Sequence, residues 1–359
     1  MFKTYEKYII KNFIKKFLTI SFIFLTLVII LGILEEISFF KNLEVNFLYP
    51  YFITFLGAPI TLFEIFPFIF LIATQFVFYD FFKKEELNLL KINGLSNLKI
   101  IKILFFTSVI IGIVTVMFYY NGASKLKYFY TDIKNKFSND NKYLAVVTDS
   151  GLWLKDENND TTLIIKANYI KENFLINVVI NKFDNNFNLD QTIQSNKVNI
   201  ENKRWIIKSP TLTKENISTQ EVEDFELNTN FDKKKINGLF SNISTLNLIE
   251  LLDLKKDYEK LGYSSDEIEI HLLKLFSTPL LYGALTILSA IIMFNFKRDR
   301  SLFFHIILGI LMSVVIYYIN FIFSSLGNSG RIPTIASIFL PLLFISLFSI
   351  IGLIRINEK

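Results

Sequence analysis

Few residues in this sequence could break or make bonds. His271 and His305 are the only histidines, and they fall in different apolar segments, so they cannot form a short-range metal motif. Cysteine is absent, which removes disulfides, thiolate metal sites and Cys nucleophiles together. No glycine is followed by lysine, so a Walker-type phosphate loop is excluded, and neither H-E-x-x-H nor G-x-S-x-G occurs. Glu64, Asp80 and Lys274 lie in or beside apolar runs, an expensive placement that proximity to a span end relieves. No row of carboxylates there forms a proton relay.

The stretch Glu85-Glu86-Leu87-Asn88-Leu89-Leu90-Lys91-Ile92-Asn93-Gly94-Leu95-Ser96 carries more information. Its spacing predicts a short helix with Leu87, Leu90 and in part Leu89 on one side, ended by Gly94. An apolar stripe beside charges suits docking into the groove of a soluble partner. The same pattern also suits a helix resting on a membrane surface.

The elements that position these residues are set by long uncharged runs. The chain has 359 residues, 52% hydrophobic and 16% aromatic, with 38 basic and 33 acidic side chains for a net charge of +5, and a mean hydropathy of +0.40. A bilayer core of about 30 Å needs roughly 20 apolar helical residues. Runs of that kind are Phe17–Leu34, Glu64–Phe82, Ile100–Tyr120, Leu272–Phe296, Leu302–Leu326 and Ile332–Ile354. Pro50, Pro59 and Pro67 divide the block from Phe47 to Phe82, so Phe47–Pro59 is expected as a separate amphipathic or re-entrant approach. No small-residue cleavage site follows the first run, which is expected to remain as a span rather than a signal peptide.

Lys and Arg mark one side of these runs. Fifteen lie at the amino terminus, the loop between spans two and three, the loop between spans four and five (Lys297, Arg298, Arg300) and the carboxyl tail, against only Lys41 and Arg331 in the opposite short loops. The positive-inside rule then puts both termini in the cytoplasm and the middle segment outside it. Residues 125–269 hold 20 basic and 23 acidic side chains, so that segment is slightly acidic. The basic excess belongs to the membrane-facing part, and gives no reason to expect a nucleic-acid partner.

The middle segment reads as β. Short runs rich in Val, Ile and aromatics, among them Leu144–Val147, Leu152–Leu154, Leu163–Ile165, Phe174–Ile180 and Trp205–Ile207, alternate with turn clusters, as expected of an antiparallel sandwich or jelly roll. Trp153, Phe174 and Ile176 are expected on its inward faces. A helix from Thr245 to Leu261 follows, with Gly262 as its stop. The fold class is therefore membrane α-helical with six transmembrane helices plus an all-β domain: residues 1–120 for spans one to three with a helix near 84–96, 121–244 for the β-domain, 245–271 for the connecting helix and 272–359 for spans four to six.

With these residues in view, the chain resembles the LptF/LptG family, the transmembrane permeases of the lipopolysaccharide exporter. Glu86-Leu87 followed by Gly94-Leu95-Ser96 is similar to that family's cytoplasmic coupling helix, E-L…(A/S)-G-(F/I/L)-(S/T), and Pro59 with Pro67 to its paired prolines. Three stretches are most similar to the LptG branch: Gly151-Leu152-Trp153-Leu154-Lys155-Asp156, Leu261–Pro279, and Ile332-Pro333 with Leu340-Pro341.

The resemblance implies a transport subunit, not an enzyme, in the bacterial inner membrane with the β-domain periplasmic. It implies a dimer of ATPase subunits bound beneath, a second LptF-like permease, a single-span LptC-like regulator, a periplasmic LptA-like bridge, and lipopolysaccharide as cargo, with no cofactor or metal. Glu86, Leu87, Leu90 and Gly94 are carried over as coupling residues, and Lys41 and Arg331 as lipid-contacting ones. Glu35 and Glu36 stand where LptG relatives often carry lysines, and a carboxylate pair would repel phosphate. A permease of another ABC exporter for lipoprotein release or efflux, or a membrane scaffold that transports nothing, are the competing readings.

Overall fold

Each apolar run is helical, because backbone N–H and C=O groups in a bilayer must find partners within their own segment. The computed structural model describes residues 3–41, 43–137, 152–158, 161–171, 173–184, 186–214, 217–220, 223–233, 235–236, 242–260, 263–294 and 302–357. Leu144–Val147, Gly151, Gly262, Lys297, Arg298 and Arg300 lie outside the described residues.

The first three spans are α1 (Thr4–Phe40), α2 (Tyr49–Lys83), and a run made of α4 (Asn97–Val114), a π-helical turn (Thr115–Tyr120) and α5 (Asn121–Phe137). The short α3 (Glu86–Ile92) sits between the second and third. After the β strands come α6 (Leu248–Lys260), α7 (Asp266–Phe294), α8 (Leu302–Asn328) and α9 (Thr334–Asn357). Among the described residues six helices are long and apolar enough to cross a membrane, as expected. Two compact units result: Met1–Tyr130 with Ser244–Leu252 and Ser265–Lys359, and Thr131–Ile243 with Asp253–Ser264.

One expectation fails at α2. Rather than breaking at Pro59, the helix runs unbroken for 35 residues with Pro59 and Pro67 inside it. Each proline removes one backbone hydrogen bond, but in an apolar layer a break would strand several, so continuity is the cheaper solution. The Tyr119 hydroxyl donates to the Pro59 carbonyl at 3.0 Å.

In the helical unit, α2 and α7 form the packed centre while α1 and α8 are the least covered. Leu71, Ala284, Leu285, Leu288, Ile316 and Ile345 make one apolar cluster, and the Phe70 and Tyr282 rings stack at 4.2 Å. Polar ties join the helices: Ser108 and Thr286 share a hydrogen bond of 2.7 Å, Ser289 Oγ donates to the Leu71 carbonyl, and Gln75 Nε2 donates to the His305 carbonyl. At Gly112 an added Cβ would stand 2.7 Å from Pro279 Cα, so the third and fourth spans approach as closely as backbones allow.

The other unit holds nine described strands in one antiparallel hydrogen-bonded sheet, with the order β1-β2-β4-β5-β6-β9 and β3, β7 and β8 attached at its sides. These are β1 (Leu152–Asn158), β2 (Thr161–Ala167), β3 (Tyr169–Lys171), β4 (Phe174–Phe183), β5 (Leu189–Asn199), β6 (Arg204–Lys208), β7 (Thr211–Lys214), β8 (Ile217–Gln220) and β9 (Phe225–Asn228). Leu152, Leu154, Leu163, Ile165, Leu175 and Ile180 are buried along one face.

Trp153, Phe174 and Ile176 are therefore not on the buried face as expected. Trp153 is 46% exposed, with Lys166 over its ring, and Lys197 lies 3.8 Å above the Phe174 ring. The period-two rule puts the neighbours Leu152, Leu154 and Leu175 inward instead. Asn177, at φ 52°, interrupts the alternation, which is why Leu175 and Val178 are both buried although three residues apart. The connecting helix begins later than expected. Asn247 caps it, its Oδ1 accepting from the Ile249 and Glu250 amides while Glu250 Oε2 accepts from Asn247 N, a reciprocal cap of the capping-box kind.

Candidate coupling and lipid-contact sites

The short helix α3 is held at both ends by backbone geometry. The Lys84 amide, just past α2, donates to the Asp80 carbonyl and the Glu85 amide to the Phe82 carbonyl, Glu85 adopts a left-handed conformation at φ 56°, and Glu86 opens the helix, where its charge complements the exposed N–H groups. At the other end the Leu95 amide donates to the Leu90 carbonyl at 3.1 Å and the Gly94 amide to the Lys91 carbonyl at 2.9 Å. This is a Schellman closure. It requires a left-handed residue, and Gly94 supplies it at φ 81°. Ser96 then caps α4, its Oγ accepting from the Lys99 amide.

Two apolar stripes result, and they differ in where they face. Leu87 and Leu95 are buried and Leu90 is half-buried, whereas Leu89 is 59% and Ile92 82% exposed. The expected exposed stripe of Leu87 and Leu90 is thus turned inward, and the outward apolar surface is Leu89 with Ile92. Both pairs have three-residue spacing, so the sequence alone could have named either. Nearby, Lys16 Nζ lies 2.6 Å from Asp80 Oδ2, both partly exposed, so this carboxylate near the end of α2 is ion-paired.

At the opposite ends of the spans, Lys41 follows α1 and Arg331 lies in the turn between α8 and α9, both exposed. No ion pair among the described residues holds either one. The adjacent glutamates separate. Glu35 is exposed, while Glu36 is 2% exposed and accepts a hydrogen bond of 2.8 Å from the Tyr130 hydroxyl. The carboxylate pair read from the sequence is therefore one outward charge and one buried tie to α5. Tyr130 had no sequence signal beyond being a tyrosine.

The histidines take structural places. Tyr120 Oη lies 2.9 Å from His271 Nε2, a contact across 151 positions that no spacing rule anticipates. His305 is buried, its carbonyl bound by Gln75. Among the described residues no group of three or more His, Asp or Glu could hold a metal. Exposed Glu64 and Lys274 interact electrostatically across α2 and α7.

What this geometry offers is a short helix with an exposed apolar pair, Leu89 and Ile92, and, at the opposite ends of the spans, the exposed cations Lys41 and Arg331. Residues 7–355 match the model of a family described as lipopolysaccharide export system permease LptF/LptG. No curated protein matches the sequence.

Proposed function

This chain belongs to the LptF/LptG family of lipopolysaccharide export permeases, and we propose that it is one half of a heteromeric exporter driven by a separate ATPase through α3. As a member it is a transport subunit of the inner membrane rather than an enzyme. The observation that carries the coupling role is the exposed pair Leu89 and Ile92 on a helix whose ends are both fixed. An ATPase that displaces this pair displaces α2 and α4 directly, because α3 has no slack at either end.

In this reading both termini and α3 are cytoplasmic and the β-domain is periplasmic. A second LptF-like permease completes the path, two ATPase copies dock beneath, and the β-domain hands lipid towards LptC-like and LptA-like partners. Lys41 and Arg331 meet the anionic headgroup, and Glu86, Leu87, Leu90 and Gly94 shape and seat the docking helix rather than forming its contact surface. The LptG-like motifs favour that branch.

Co-purification tests the coupling role. Leu89→Asp with Ile92→Asp should reduce recovery of the ATPase about tenfold or more, the equivalent of about 1.4 kcal/mol, while the chain still inserts. Undiminished recovery and ATP turnover in the double variant would remove the assignment.

A further inference from the structure

The π-helical turn Thr115–Tyr120 lies where the third span leaves the apolar layer and continues as α5. Such wide turns recur at functional sites because they cost regular hydrogen bonding and persist only when side chains exploit them. Here two consecutive tyrosines do so. Tyr119 reaches the Pro59 carbonyl of α2, and Tyr120, 1% exposed, reaches two other elements.

Tyr120 Oη lies 3.0 Å from the Leu246 carbonyl and 2.9 Å from His271 Nε2. A carbonyl can only accept, so the phenol donates its hydrogen to Leu246. Its oxygen must then accept from Nε2–H, which fixes where the imidazole carries its proton. Next in sequence, Asn121 Oδ1 accepts from the Leu248 amide at 3.0 Å, the first residue of α6. Phe63 packs on the Tyr120 ring at 5.2 Å.

We propose that Tyr120, seated on the π turn and held by His271, is a positioning residue that locks the start of α6 onto the third and fourth spans, making one joint of the two chain connections to the β-domain. The segment through Leu246–Leu248 is the return connection and α5 the outgoing one. With both pinned at Tyr120 and Asn121, a shift of the third span against the fourth moves both connections together. Without the clasp the same shift is absorbed by slack at Leu246. Tyr120→Phe leaves two buried polar groups, the Leu246 carbonyl and the Nε2–H, without their shared partner, whereas His271→Leu still leaves the phenol donating to Leu246. The tyrosine variant should therefore be the more severe.

The absence of cysteine makes the test direct. Spin labels go on cysteines at Phe129 and Ile249, which are 54% and 71% exposed and belong to α5 and α6 outside the clasp. In the purified full chain the distance distribution should be narrow, broaden about twofold or more in Tyr120→Phe as the local contact opens, and stay narrow in Tyr119→Phe. An unchanged width in Tyr120→Phe overturns the proposal. If that variant does not accumulate, His271→Leu decides in its place, smaller broadening supporting the clasp and none sinking it.

The role in transport rests on the permease reading and is read separately, as lipid-stimulated ATP turnover of the reconstituted complex. Tyr120→Phe should keep basal turnover and lose the stimulation, and Tyr119→Phe should keep both. Stimulation retained in Tyr120→Phe overturns the transport role, while a native complex showing none counts against the permease reading and leaves the distance measurement to judge the joint.

Discussion

Gly94 and Asp184 show how single residues set local conformation for different reasons. At Gly94 an added Cβ would meet nothing within 4 Å, so the whole cost of Gly94→Ala comes from the left-handed backbone at φ 81°, about 1–2 kcal/mol. A thermal scan of the purified chain should show a lower midpoint with α3 docking weakened, and an unchanged midpoint would mean the Schellman closure is dispensable. Asp184 holds the β4–β5 hairpin by accepting from the Asn186 and Asn188 amides. The Asn188 N–H first, and then the Asn188 side chain and the Asn186 N–H, hold its carboxyl below the usual aspartate range. A depressed carboxylate contributes order that is complete above its unfolded range and lost as pH falls through the folded value. Protection of the Asn186 and Asn188 amides, taken relative to the intrinsic exchange rate at each pH, should therefore persist at neutral pH and be lost only in strong acid. Equal protection at both extremes would show that the carboxylate does not order the turn.

Packing between elements is decided by small residues more than by hydrophobicity. The third and fourth spans meet at Gly112 and Pro279 and are tied by Ser108 and Thr286. In lipid, apolar side chains gain little from facing one another, so close backbone approach and interhelical hydrogen bonds carry the association. Gly112→Leu should separate the two helices and destabilise the helical unit by about 1–3 kcal/mol or more, since the obstructing atom is backbone and cannot move aside. Ser108→Ala should cost about 0.6 kcal/mol. Thermal scans of the two variants in mild detergent test this order, and a Ser108→Ala effect exceeding that of Gly112→Leu would reverse the argument. Element identity was legible where one signal dominated. Six apolar runs became six long helices, and the alternating runs became an antiparallel sheet. The prolines of α2 misled because their local penalty is smaller than the cost of open backbone in lipid.

For the whole molecule, charge separates what composition merges. The excess of Lys and Arg clusters beside α3 and the termini, and residues 125–269 are slightly acidic. Single cysteines in this cysteine-free chain should report that division: one at Lys84 should react with an impermeant maleimide only after the inner membrane is opened, and one at Ile217 in intact spheroplasts. Reaction of both from the same side would refute the orientation. On its own the sequence determined the number of long apolar helices, the β character of the middle segment and the family resemblance, since these follow from run length, periodicity and motif order. Only the tertiary structure decided that Leu89 and Ile92 rather than Leu87 and Leu90 face outward, that Glu36 is buried against Tyr130, and that Tyr120 meets His271 and Leu246. Those outcomes depend on which of two equivalent faces a neighbour covers, and on contacts between positions far apart in the chain, which no local pattern encodes.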